Sequence, residues 1–166
     1  MSIYSGNFQI VGPLASPTPV TSTTLMPIVD VLTKSTTGRA CVLEACIQST
    51  NGANSASSGM YFNISRSTNT PVQAGQTYLI PENQSDQQSL CSIATAWSVA
   101  PTVATSIRRY NWSANLAGQG ALFVFTKGYS VSPTNSIVIS VGGLSGNNNV
   151  WNTSVNAING WFVVNE

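Results

Sequence analysis

Chemistry near neutral pH needs side chains that titrate, coordinate or attack, and this chain of 166 residues holds few of them. It has no histidine, 5 acidic residues and 6 basic ones. Without imidazole there is no Ser–His or Cys–His pair, and the commonest general base and metal ligand is missing. A glycosidase-type carboxylate pair would have to come from Asp30, Glu44, Glu82, Asp86 and Glu166. Asp86 suits the start of a helix, Glu166 is the last residue given, and Glu44 lies inside an apolar run. There Glu44 is most simply paired with an arginine such as Arg39, Arg66 or Arg108. Cys41, Cys46 and Cys91 form an odd set with no C-x-x-C spacing. Cys41 and Cys46, five apart, should point to opposite faces of a strand and act with Cys91 as small buried hydrophobes. Gly118-Gln119-Gly120 and Gly142-Gly143 sit in hairpin contexts and not in a phosphate loop. The residues therefore point to a protein that is not an enzyme, with no catalytic, cofactor-binding or metal-binding set. A small hydrolase is the weakest alternative.

What remains is the chemistry of contact. Tyr110 and Trp112 fall on one face of a candidate strand and could anchor an interface or stack on a sugar. Trp97 and Trp161 read as core residues, because large aromatics most often complete a core. Arg108-Arg109 is the basic cluster. In a strand its two members face opposite ways, so Arg108 could pair with Glu44 inside while Arg109 meets a partner outside.

The balance of charge supports this direction. Only 7% of residues are charged, against about a quarter in ordinary soluble domains. Ser, Thr, Asn and Gln take their place. A surface so weakly charged favours association, and suits a protein that works packed against others. A net charge of +1 gives no basic field for nucleic acid. No run approaches the ~18 apolar residues that would span a bilayer. The N-terminus lacks the basic and apolar regions of a signal peptide, so folding in a reducing cytoplasm is expected. The sequons at Asn63, Asn83, Asn111 and Asn152 are what an Asn-, Ser- and Thr-rich chain produces by chance.

The elements that must position these residues are short strands. The run 39–48, Arg-Ala-Cys-Val-Leu-Glu-Ala-Cys-Ile-Gln, is apolar on both faces if it alternates regularly, which predicts a central strand covered above and below. Regular alternation puts Cys41, Leu43, Ala45 and Ile47 on one face and Ala40, Val42, Glu44 and Cys46 on the other. Before it, Asn7–Val11 alternates. Pro13, Pro17 and Pro19 then favour an extended, polyproline-like arm. Residues 24–32 read as a strand that Pro27 restricts to an edge, a start or a bulge. Further strands are expected at 60–66, 77–80, 95–99, 106–112, 121–126, 136–141, 150–157 and 160–164, with polar loops at 49–58 and 144–149. Ser85–Ala94 is the one candidate helix, with Ser85 or Asp86 as its cap and Leu90, Ile93 and Ala94 on one face. The fold class is thus all-β: an antiparallel β-sandwich or jelly roll with an extended N-terminal arm and at most one short helix. The division expected is an arm over 1–21 and a sandwich over 22–166.

Several stretches together carry a resemblance: Arg39-Ala40-Cys41-Val42-Leu43-Glu44, Thr70-Pro71-Val72, Ile93-Ala94-Thr95-Ala96-Trp97-Ser98-Val99-Ala100-Pro101-Thr102, Ile107-Arg108-Arg109-Tyr110 and the closing Trp161-Phe162-Val163-Val164-Asn165-Glu166. Over roughly residues 22–166 the pattern resembles small β-sandwich proteins encoded among the structural genes of tailed bacteriophages. The resemblance implies a virion structural protein, a capsid decoration or cement protein on the outer surface of the shell. Its partners would be the major capsid protein and further copies of itself, as a homotrimer, with no nucleic acid and no membrane. It would be made in the host cytoplasm and reside on the capsid surface. The arm lies outside the match. The residues expected to meet a partner are Phe8, Ile10, Pro13, Leu14, Pro17, Pro19, Arg109, Tyr110 and Trp112, with Arg39, Glu44, Arg108, Trp97 and Trp161 structural. The alternative is a carbohydrate-binding module or a tail-tip or fibre head, with exposed aromatics such as Trp112 and Trp151 and loops 51–58 and 145–149 holding sugar.

Overall fold

A computed structural model describes residues 2–11, 25–36, 40–49, 60–112, 120–143 and 157–166. In chain order the strands are β1 (Ile3–Val11), β2 (Met26–Thr33), β3 (Ala40–Ser49), β4 (Met60–Ser67), β5 (Val72–Ala74), β6 (Thr77–Tyr78), β7 (Ile80–Pro81), β8 (Cys91–Ala94), β9 (Ala96–Val99), β10 (Val103–Trp112), β11 (Gly120–Val131), β12 (Ile137–Gly143) and β13 (Ala157–Asn165). They form a five-stranded sheet in the order β11-β3-β13-β1-β7 and a six-stranded sheet in the order β10-β4-β12-β2-β8-β6. A two-stranded sheet, β5-β9, completes the set. Every pairing is antiparallel. The all-β sandwich expected from short alternating runs is the architecture observed.

The period-2 pattern explains which residues meet between the sheets. Phe8, Ala45, Ile47, Phe123, Ile158 and Phe162 come from the five-stranded sheet, and Val29, Val31, Phe62, Ile64, Ile137 and Ile139 from the other. All belong to one buried cluster. Phe8 and Phe162 pack with ring centroids 5.9 Å apart. Gly160 makes room for this pair, since a Cβ there would strike the Phe8 ring and the Cys46 carbonyl. Two arginines close the seam beside β11. Arg66 donates to the Ser130 carbonyl (2.7 Å) and lies over the Tyr129 ring, while Arg108 donates to the Val124 carbonyl (2.7 Å) and lies over Phe125.

Three expectations are corrected here. Residues 3–11 are no arm: β1 pairs with β13 along its length and with β7 at Tyr4 and Ser5, so it is an internal strand of the body. Phe8, expected to meet a partner, is 7% exposed in the core, and Ile10 packs partly against it. Residues 12–24, with Pro13, Leu14, Pro17 and Pro19, lie outside the described residues.

The helix expected over Ser85–Ala94 is instead a turn followed by β8. Asn83 takes the capping part, its side-chain oxygen accepting from the Ser85 backbone N–H and hydroxyl. Leu90 and Cys91 give their N–H groups to the Glu166 carboxylate, at 3.1 and 2.9 Å. Donors a helix would use are thereby taken, and Cys91–Ala94 is buried at every position, which suits a strand covered on both faces.

The third correction concerns β3. It is central, between β11 and β13, but its register skips: Val163 pairs with Glu44 and Val164 with Val42, leaving Leu43 extra. This β-bulge reverses the parity of the strand. Ala40, Val42, Ala45 and Ile47 all face the core, and Cys41, Glu44 and Cys46 share the outer face, half-buried and not covered. Opposite the bulge, β11 makes its own excursion between Val124 and Tyr129. There Gly128 has φ +70° and sits so close to Cys41 that a Cβ would lie 2.7 Å from the Cys41 Cβ. By contrast Pro27 behaves as expected. It flanks a register irregularity near the start of β2, before β8 begins to pair at Asp30.

Candidate functional site

The outer face of the five-stranded sheet is built in cross-strand rows. One row runs Gln9, Asn159, Gln48, Gly120; the next Asn7, Trp161, Cys46, Leu122; the next Ser5, Val163, Glu44, Val124. On the β11 side these rows are apolar and open, with Leu122 58% exposed, Val124 41% and Trp161 39%. Glu44 is the one charged residue in them. Burial, and then the nearby Glu44 carboxylate, raise the Cys46 thiol above its ordinary pKa, so it stays protonated at neutral pH.

On the β1 side the same face is polar and concave. A cleft of ≈ 460 Å³ is lined by Asn7, Phe8, Gln9, Gln48, Asn159, Gly160 and Trp161. A smaller hollow of ≈ 150 Å³ lies on the other side of Asn7 and Gln9, against Thr77 and Thr95. These side chains donate and accept hydrogen bonds without carrying charge.

The outer face of the six-stranded sheet is the opposite case. Asp30, Asn63, Ser65, Ser92 and Ser140 are fully or almost fully buried. Asp30 lies under the β5-β9 pair, whose cross-strand partners Gln73 and Trp97 both reach it. Trp97 Nε1 and Gln73 Nε2 each donate to Asp30 Oδ1 at 2.9 Å, and Ser92 Oγ donates to Gln73 Oε1 at 2.6 Å. Burial raises the Asp30 pKa, and the hydrogen bonds from Trp97 and Gln73 offset only part of that rise. Asp30 Oδ2 has no hydrogen bond of good geometry.

A third polar cluster joins the chain ends to β8. The Glu166 carboxylate accepts from the Ser89 hydroxyl (2.5 Å) and from the N–H groups of Leu90 and Cys91, while Ser2 and Glu166 exchange backbone hydrogen bonds. Cys91 is buried beside it, and burial first and Glu166 second drive its thiol pKa far upward.

The residues expected to act do not converge. Arg109 lies over the Tyr61 ring, 3.9 Å from its centroid, and Tyr110, 46% exposed, follows it on β10, an edge strand of the other sheet. Trp112 contributes backbone to β10, and its side chain lies outside the described residues, as do Arg39, Trp151 and the loops 51–58 and 145–149. Arg108 is structural, but through a backbone carbonyl and a ring, not through Glu44. Glu44 faces outward between Val163 and Val124, away from the expected internal ion pair. Trp97 is half-buried over Asp30, and Trp161, expected in the core, stands on the open face. Among the described residues, no group of three or more His, Cys, Asp or Glu could hold a metal. Sequence reasoning missed the amides of the cleft, although the alternation of Asn7, Phe8 and Gln9 already sends the two amides outward. No protein-family model matches the chain, and no curated protein matches it.

Proposed function

We propose that this chain is a non-enzymatic virion structural protein, a capsid decoration protein that binds the outside of a phage shell and adds contacts between its subunits. The observation that carries this reading is the apolar strip of Leu122, Val124 and Trp161, open on a rigid sheet and nearly free of charge. An exposed apolar strip of this kind marks an interaction surface. Few charges need be desolvated when it is covered, which suits close packing against a neighbour. Contacts made only in the assembled state stabilise that state by mass action. A trimer seated on a local threefold of the shell is the assembly this function calls for. Arg109 and Tyr110, on the edge strand β10, offer a second contact to an adjoining copy.

Purified protein added to expanded heads that lack it should bind to saturation and raise their resistance to heat. The double variant Leu122→Asp, Val124→Asp should fold and fail to occupy the heads. Equal occupancy by wild type and variant would overturn the assignment of this face. No binding to any shell by the wild type would overturn the function.

A further inference from the structure

We propose that the cleft between β1, β13 and β3 binds a neutral oligosaccharide. The proposal does not depend on the decoration reading: the two surfaces share Trp161, but the amides of the cleft lie on the β1 side of it and Leu122 and Val124 on the β11 side, so each can be altered alone. Three features select the ligand class. First, the cleft holds an aromatic plane: Trp161, 39% exposed, beside the hollow. A pyranose ring has a face of C–H groups that packs on an indole, while its rim stays polar. Second, four carboxamides, on Asn7, Gln9, Gln48 and Asn159, line the same hollow. The amides of Asn7, Gln9 and Asn159 each carry a donor and an acceptor in one plane, matching the adjacent hydroxyls of a sugar. Third, no lining side chain is charged. An anion or a cation would find no counter-charge here, and an apolar ligand would make no use of the polar rim.

Size points to a chain of sugars and not to a single ring. The volume of ≈ 460 Å³ falls within the range of about 300–1,000 Å³ usual for ligand clefts. Asn7 and Gln9 also border the hollow of ≈ 150 Å³ with Thr77 and Thr95, which extends the polar path past β1. That strand is paired with β7 only at Tyr4 and Ser5, so Asn7–Gln9 is uncovered on this side by β7.

The test is an array of neutral gluco-, manno-, galacto- and N-acetylglucosamine oligomers, followed by titration calorimetry with the full-length protein. At least one class should bind, and its tetramer should bind more tightly than its monomer. Trp161→Ala should weaken binding by about tenfold, a loss of the size expected for one stacked ring, while Trp161→Phe keeps most of it. Leu122→Asp, on the other half of the face, should leave it unchanged. Absence of binding to every class at millimolar sugar would overturn the proposal, and so would a folded Trp161→Ala protein that binds as wild type does. If Trp161→Ala does not fold, the exposed pair Asn7→Ala, Gln48→Ala decides, and unchanged affinity there overturns the site. Loss of capsid occupancy with sugar binding intact would separate this site from the decoration surface.

Discussion

The two sheets of this sandwich treat their outer faces in opposite ways. The five-stranded sheet leaves Leu122, Val124 and Trp161 open to solvent, while the six-stranded sheet buries Asp30, Asn63, Ser65 and Ser140. Ordinary patterning would put the apolar residues inside and the polar ones outside. The buried polar face is tolerated where a third layer, β5-β9, brings its own donors to Asp30. The exposed apolar face has no such cover among the described residues. One face therefore contributes specificity of fold, since the β5-β9 donors reach Asp30 Oδ1 in one arrangement only. The other contributes nothing to the monomer that a partner could not improve. Substitutions on the two faces should differ in kind.

The largest effect is expected at Asp30. Asp30→Ala removes the acceptor of the half-buried Trp97 Nε1 and the nearer acceptor of the Gln73 amide, which keeps the Ser92 carbonyl at 3.3 Å, and should cost about 2–4 kcal/mol in urea unfolding. Leu122→Ser with Val124→Thr should change stability by less than about 0.5 kcal/mol, while reducing self-association in sedimentation. If this pair destabilises as much as Asp30→Ala, the difference between the faces is broken. Glu166→Gln tests the seam that joins the chain ends to β8. It keeps the shape but weakens three charge-assisted bonds, and should cost about 1–2 kcal/mol by the same measurement.

Asp30→Asn sharpens the comparison through pH. Burial raises the folded-state pKa of Asp30, so the fold prefers the neutral carboxyl. That stability is fully present below the unfolded pKa and is lost as pH rises through the folded one. Wild type should therefore lose stability between acid and neutral pH relative to Asp30→Asn, whose amide oxygen can still accept from Trp97 and Gln73. The check is the thermal midpoint of both proteins from pH 4 to pH 7. Parallel curves would mean that Asp30 does not titrate in this range.

Much of the sandwich was legible in the sequence, because alternation is local. Met60–Arg66 and Ser136–Val141 show their inward residues directly, and the core contains Phe62, Ile64, Ile137 and Ile139 as the period requires. The misreadings have a common physical source: burial set by segments distant in the chain. Asp30 alternates with Val29 and Val31, and nothing in that local pattern shows that β5-β9 covers it. Trp161 reads as core by its size, yet register places it outside, beside Cys46. The cleft is not legible locally because it needs β3, β13 and β1 side by side, an order with no counterpart in sequence. β1 reads as part of an arm because prolines follow it closely, and composition does not mark where a strand ends.

The smallest effect tests the feature on which the open face depends, the bulge at Leu43. A regular strand would send Cys41 and Cys46 to opposite faces and bury one of them. The bulge puts both on the outer face, half-buried, while Cys91 is fully buried. Iodoacetamide applied to the native protein should therefore modify Cys46 and Cys41 slowly and leave Cys91 untouched until urea unfolds the chain. The rate at Cys46 should climb as pH rises from 7 to 9, because burial and the neighbouring Glu44 hold its thiol protonated at the lower end. Glu44→Gln removes the second of those causes and should speed the reaction modestly at pH 8, with stability changed by less than about 0.5 kcal/mol. Modification of only one of the pair would restore regular alternation to β3. Glu44 would then turn inward with Val42, and the open face would lose its apolar continuity from Trp161 to Leu122.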